Sequence, residues 1–312
     1  MNKIDMKGFT IEHIIYDEFE YCKIPNDASV VISGDTRNPR GRIETLKKMY
    51  DRNERKTVSI SEKSIDKIKA SYSGNRSFEE INLKNISRIQ KTIPDSKSVW
   101  IDVSGLSFNV WGPILKAIKN KWNKVAVIYT EPKRYAAHPK PVTKTQFDLT
   151  TEYREVSPPP GLANIRGPKD EGKTIFIPFL GFEGNRVRNL AVSLDPVPSR
   201  IIPIVGVPGF KAEYPQFSVF SNMEFLESNN CFDYIRMSRA NSPFDANNTL
   251  EAVNNEFKDY YFYIAPLGTT PSTLGVLIYF LKNDITSEIM YDNPLSEPGS
   301  RSGIGKTHVY FI

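Results

Sequence analysis

The 312-residue chain is expected to be an α/β protein built of two Rossmann-like halves with mainly parallel sheets, related by an internal duplication. Three features of the sequence lead there. Short apolar runs alternate with helix-length segments, the pattern of strands whose two faces are covered by helices. One stretch, Asp259–Asp284, reads as a complete strand–turn–helix unit. That unit also has an echo earlier in the chain.

In Asp259–Asp284 the aromatic and β-branched run Tyr260–Ile264 predicts a strand. Ala265–Pro271 predicts a small-residue turn, and Ser272–Lys282 an apolar helix. Pro271 suits a first helical turn, where its missing amide hydrogen costs nothing. Such a turn points backbone N–H groups and threonine hydroxyls outward at a helix N-terminus, a natural seat for a phosphate. An ordinary threonine-capped turn with no ligand is the competing reading. The echo is Trp100–Asn120. At one fixed offset Ile101 falls on Ile264, Gly105 on Gly268, Gly112 on Gly275 and Lys119-Asn120 on Lys282-Asn283. The following strands share Tyr-x-x-Pro, as Tyr129/Pro132 and Tyr291/Pro294. A second echo, in the same order, sets Arg42–Leu46 against Arg186–Leu190.

From the N-terminus, His13–Tyr16 is a short strand candidate and Ser29–Ser33 a firm one, running into a Gly- and Arg-containing loop and a helix from Arg42 to Tyr50. Thr57–Ile60 is a strand, Ser61–Asn82 a polar region with a surface loop at Tyr72–Ser77, and Leu83–Thr92 an amphipathic helix. Ser98–Val103, Trp111–Lys121 and Lys124–Tyr129 complete the first half as strand, helix and strand. Prolines 139, 141 and 158–160 interrupt Lys140–Gly172, because proline runs make poor helices and central strands. This divides the chain into residues 1–150, a linker over 151–172 and a second domain over 173–312. The second half reads as strand Thr174–Phe179, a helix from Arg186, strand Arg200–Gly206, helix Met223–Ser228, strand Phe232–Met237 and helix Thr249–Phe257. After the Asp259–Asp284 unit, a Gly- and Ser-rich tail ends in a strand at His308–Ile312.

Composition narrows the function. Hydrophobic residues make up 39% and charged residues 25%, ordinary for a globular chain, and Leu274–Leu281 is too short to cross a bilayer. No secretory signal is visible, and two cysteines, Cys22 and Cys231, form neither a disulfide framework nor a metal cluster, which fits a cytoplasmic location. The net charge of +5 favours an anionic partner without naming one; direct nucleic-acid binding stays open. Gly303-Ile-Gly-Lys-Thr307 is not a phosphate loop, since Ser300 stands at the first glycine position and a strand follows. His13, His138 and His308 lack ligand spacing, so no metal site is expected.

In open parallel sheets, ligands bind beyond the carboxyl ends of the strands. The residues of those loops best suited to an anion are Arg42, Ser104, Gly105, Arg186, Gly268, Thr269 and Thr270. Each arginine also has the reading of a solvated surface side chain. Asp102, Glu131 and Glu183 are strand-end carboxylates. In an enzyme they would activate water or cleave a glycosidic bond, with Mg²⁺ held through Asp102; otherwise Asp102 caps its loop.

The turn Leu267-Gly-Thr-Thr270, with its partner Asp102-Val-Ser-Gly105, resembles the loops of CRISPR-associated Rossmann-fold (CARF) sensor domains. Thr270 stands where that family commonly has a lysine. The resemblance implies binding of a nucleotide signal and a sensory or regulatory part in prokaryotic antiviral defence. A nucleotide-processing enzyme and a scaffold subunit that contacts a protein partner or a second copy are the alternatives. No cofactor is identified, and no membrane association is expected.

Overall fold

The computed structural model describes residues 4–6, 9–17, 29–34, 56–72, 78–142, 145–164, 166–296 and 299–312. The expected helix Arg42–Tyr50, the candidate Arg42 and Cys22 lie outside the described residues. The chain is mixed α/β and divides into two units, residues 1–134 with 301–312 and residues 135–300.

The first unit is organised on an eight-stranded sheet. Its strands are β1 (His13–Tyr16), β2 (Ser29–Gly34), β3 (Lys56–Ser64), β4 (Lys67–Tyr72), β5 (Phe78–Asn82), β6 (Ser98–Asp102) and β7 (Val125–Thr130), with the C-terminal strand Thr307–Phe311 between β1 and β7. Strands β7, β6, β2 and β3 run parallel in that spatial order. They are apolar throughout, as strands buried on both faces must be: all residues of β6 and β7 are buried. The flanks are antiparallel, so this sheet is mixed rather than mainly parallel. Helices α1 (Ile86–Thr92) and α2 (Phe108–Lys119) belong to this unit. Helix α2 buries ten of its residues, including Trp111, Ile114 and Leu115, as a core helix apolar on nearly every side.

The polar region Ser61–Asn82, read from the sequence as loop, is instead the antiparallel meander β3–β4–β5. Its apolar residues are few but alternate. Val58 and Ile60, Ile68 and Ala70, and Ile81 are buried, while lysines and glutamates such as Lys63, Lys67 and Glu80 turn to solvent. A one-sided strand needs only every second residue to be apolar.

The second unit carries a five-stranded, wholly parallel sheet. Its elements are β8 (Thr174–Phe179), α3 (Gly184–Leu194), β9 (Ile204–Gly206), α4 (Tyr214–Ser221), α5 (Met223–Ser228), β10 (Arg236–Ser238), α6 (Pro243–Glu256), β11 (Tyr261–Pro266), α7 (Thr270–Lys282) and β12 (Ser287–Ile289). The spatial order is β10-β9-β8-β11-β12. The chain starts in the middle at β8, winds outward to β10, then returns to the other side of β8 as β11. Phe176, Leu180, Val187, Leu190, Phe225 and Ala265 form part of its core. Helix α6 begins seven residues earlier than the apolar pattern indicates, because Ser242 caps it by accepting a hydrogen bond from the Asp245 amide and Pro243 occupies its first turn. The Pro-rich stretch 151–172 lies within this unit, and the final strand, β13 (Thr307–Phe311), lies in the other unit's sheet rather than closing the second half.

Both units hold three adjacent parallel strands of like descent. These are β2, β6 and β7 in the first, and β8, β11 and β12 in the second.

Candidate functional site

In the second unit the strand order reverses between β8 and β11, so the loops following them flank the sheet's switch point. These loops touch. A Cβ on Gly181 would lie 2.2 Å from the Leu267 carbonyl oxygen, so only glycine permits the approach. The loops after β9 and β10 join them through backbone bonds: the Ala240 amide donates to the Pro208 carbonyl at 3.1 Å, and the Val207 amide to that of Ser238 at 2.7 Å.

Thr269 ties the β11 turn to this group. It is the N-cap of α7, its Oγ1 donating to the Ala240 carbonyl at 2.5 Å and accepting from the Ser272 amide at 3.3 Å. The Thr269 carbonyl takes the Thr273 amide, and Pro271 has none. The amides of Gly268, Thr269 and Thr270 are left without an acceptor among the described residues. They stand at the positive end of a thirteen-residue helix. Gly268, Thr269 and Thr270 are each partly exposed, and Lys211 and Arg239 on the neighbouring loops are exposed cations. Neither cation was singled out from the sequence. Only the topology brings the β9 and β10 loops beside the threonine turn.

Arg186 has a different place. It is buried in α3, its Nε donating to Asp292 Oδ2 at 2.8 Å and its Nη2 to Oδ1 at 2.6 Å, and Asp292 is wholly buried. The guanidinium fork that would grip a phosphate is closed on the chain's own carboxylate. Glu183 caps the start of α3 in position, while its side chain accepts from the Leu149 amide at 3.2 Å and the Thr150 hydroxyl at 2.8 Å. Nearby Tyr153 has its phenol pushed up to about 12 by burial and by the Glu183 carboxylate.

The first unit's counterpart turn is filled by the protein itself. Asp102, fully buried, accepts from the Ser104 amide at 2.9 Å, and the Ser107 amide at the start of α2 donates to Glu62 of β3 at 2.7 Å. The Ser104 hydroxyl accepts from the Thr130 amide at 2.8 Å. Gly105 backs against Gly34, where an added Cβ would lie 3.0 Å from the Gly105 carbonyl oxygen. Ser104 and Gly105 are thus structural parts of a packed turn. Glu131 hydrogen-bonds His308, and His308 in turn meets His13. The sequence separates these histidines by almost the whole chain, and only the insertion of β13 beside β1 joins them.

Neither a protein-family model nor a curated protein matches the chain. Among the described residues, no helix is long and apolar enough to cross a membrane.

Proposed function

We propose that the second unit binds a nucleotide or another phosphorylated small molecule on the loops after β9, β10 and β11. The observation that carries this is the set of three successive amides, Gly268 to Thr270, left open at the N-terminus of α7 and bordered by Lys211 and Arg239. Backbone donors at a helix start together with flexible cations suit the oxygens of a phosphate. On this reading Thr269 is a positioning residue, since its hydroxyl is spent on the cap, while the Thr270 hydroxyl and the three amides meet the ligand.

Each unit is further read as a Rossmann-like half descended from one duplicated unit. The support is the shared trio of parallel strands and the correspondence of Gly105 with Gly268. The two halves have diverged at the turn: Asp102 and Glu62 occupy in the first what an external anion would occupy in the second. A role as a sensor in prokaryotic defence follows from the resemblance of the Gly-Thr-Thr turn to CARF loops.

Calorimetric titration of the full chain with a panel of mononucleotides, cyclic oligonucleotides and inorganic phosphate tests the site. Binding in the micromolar to low millimolar range that weakens in Arg239→Ala and Thr270→Ala is expected. Absence of heat for every ligand, or binding unchanged in both variants, removes the proposal.

A further inference from the structure

We propose that Glu131, His308 and His13 form a proton relay, with Nδ1 of His13 as the general base that activates water for the hydrolysis of an ester. All three residues lie in the first unit, so the inference is independent of the anion site proposed above.

The antiparallel ladder builds the relay. Tyr129 pairs with His308 and Tyr310 with His13, which sets Glu131, His308 and His13 along one face of β7, β13 and β1. Glu131 Oε1 lies 2.5 Å from His308 Nε2, and His308 Nδ1 lies 2.9 Å from His13 Nε2. The loop before β13 fixes the carboxylate's backbone: Gly305 donates to the Glu131 carbonyl at 2.8 Å, and the Glu131 amide to that of Lys306 at 2.9 Å. His13 and His308 stack with ring centroids 5.2 Å apart, and Tyr310 lies within 4.5 Å of His13.

Hydrogen-bond chemistry gives the chain one direction. A carboxylate only accepts, so His308 Nε2 carries the proton that points at Glu131. In the neutral ring Nδ1 is then an acceptor, and His13 Nε2 must donate to it. His13 is left with its lone pair on Nδ1. His308 is 1% exposed, whereas His13 is partly exposed, so the base end of the chain reaches solvent. Burial, and next the adjacent His308, lower the His13 imidazolium to about 4, so the lone pair is vacant at neutral pH. Such a ring holds a proton briefly and needs somewhere to send it. The relay supplies that place.

The step balances as follows. An O–H bond of water breaks as its proton joins Nδ1 of His13. The proton on His13 Nε2 passes to His308 Nδ1, and that on His308 Nε2 passes to Glu131. Both rings end neutral with exchanged tautomers, Glu131 is a carboxylic acid, and the hydroxide attacks the ester. Running backward, the relay returns the proton to the departing alkoxide. His13 is the catalytic residue, and His308 and Glu131 act through it.

The chain's three histidines make the test tractable. In the ¹⁵N-labelled full chain, long-range ¹H–¹⁵N spectra at pH 7 should show His13 protonated on Nε2 and bare on Nδ1. With the exposed His138 changed to Gln, hydrolysis of p-nitrophenyl acetate should fall on the order of a hundredfold in His13→Gln, the size of a lost general base. Glu131→Gln still accepts from His308 but cannot take up the proton. It should keep the tautomers, slow the reaction and turn a curved proton inventory into a straight line. His13 protonated on Nδ1, a wild-type rate no higher than buffer, or equal rates in the folded wild type and Glu131→Gln would each overturn the relay.

Discussion

Arg186 and Asp292 show how a single residue reads differently in sequence and in space. In sequence Arg186 opens a helix after a glycine loop, as a phosphate-gripping arginine would. Its partner lies 106 positions on, and no local pattern announces it. Removing one member of a buried ion pair leaves an uncompensated charge and costs about 3–5 kcal/mol, while replacing both by apolar groups is often nearly neutral. Arg186→Met and Asp292→Leu should therefore each lower the urea midpoint strongly, and the double variant should recover most of the loss. Additive losses in that cycle would show that the pair does not act as one. His13 gives a second residue-scale expectation. The folded ring takes a proton only near pH 4, whereas the unfolded ring takes one at its ordinary 6.5. Between these values the unfolded state binds more protons, so this group makes stability fall as pH drops from 6.5 to 4 and adds no slope above that window. His13→Gln should flatten the pH dependence of the urea midpoint inside the window. An unchanged slope would mean that the ring is not held neutral.

At the scale of elements, strands buried on both faces were legible because burial forces a continuous apolar run, as in Thr174–Phe179 and Lys124–Tyr129. The turn at Gly268 was legible too, since its glycine, threonines and proline each have a local reason to be there. The meander β3–β4–β5 was not, because a strand apolar on one face only dilutes its signal to alternate residues such as Ile68 and Ala70. The glycines separate packing from binding. An added Cβ on Gly275 of α7 would lie 2.3 Å from the Pro243 carbonyl oxygen and 2.6 Å from the Ala246 Cβ, so this glycine lets α6 and α7 touch. On Gly268 the nearest atom would be 3.4 Å away, an ordinary contact. Gly275→Ala should cost about 1–3 kcal/mol by overpacking. Gly268→Ala should leave the thermal midpoint within a few degrees and so report on ligand binding alone. Equal thermal losses in the two variants would show that the Gly268 turn is packed shut and could not admit a ligand.

For the whole molecule, the division into units could not be read from sequence order. Proline runs mark a boundary only where few contacts cross, and 151–172 is folded into the second unit: Asn164 bonds Tyr261, and Ser157 pairs with Tyr291. The last strand was recognised as a strand but not as a member of the first sheet, because register with β7 and β1 involves partners some 180 and 295 residues away. That membership has a consequence for truncation. β13 sits between β1 and β7 and buries Val309 and Tyr310, so deleting residues 301–312 exposes β7 as an edge and strips β1 of its partner. It also removes His308 and with it the relay. The second unit is a continuous segment with its own core and loses nothing by the cut. Amide exchange in the truncated chain should therefore rise in β6, β7 and α2 while β8, β11 and α7 keep their protection. Phosphate-ligand binding, if it belongs to the second unit, should persist alongside that protection. Uniform loss of protection in both sheets would show that the two units fold as one cooperative block and would overturn their independence.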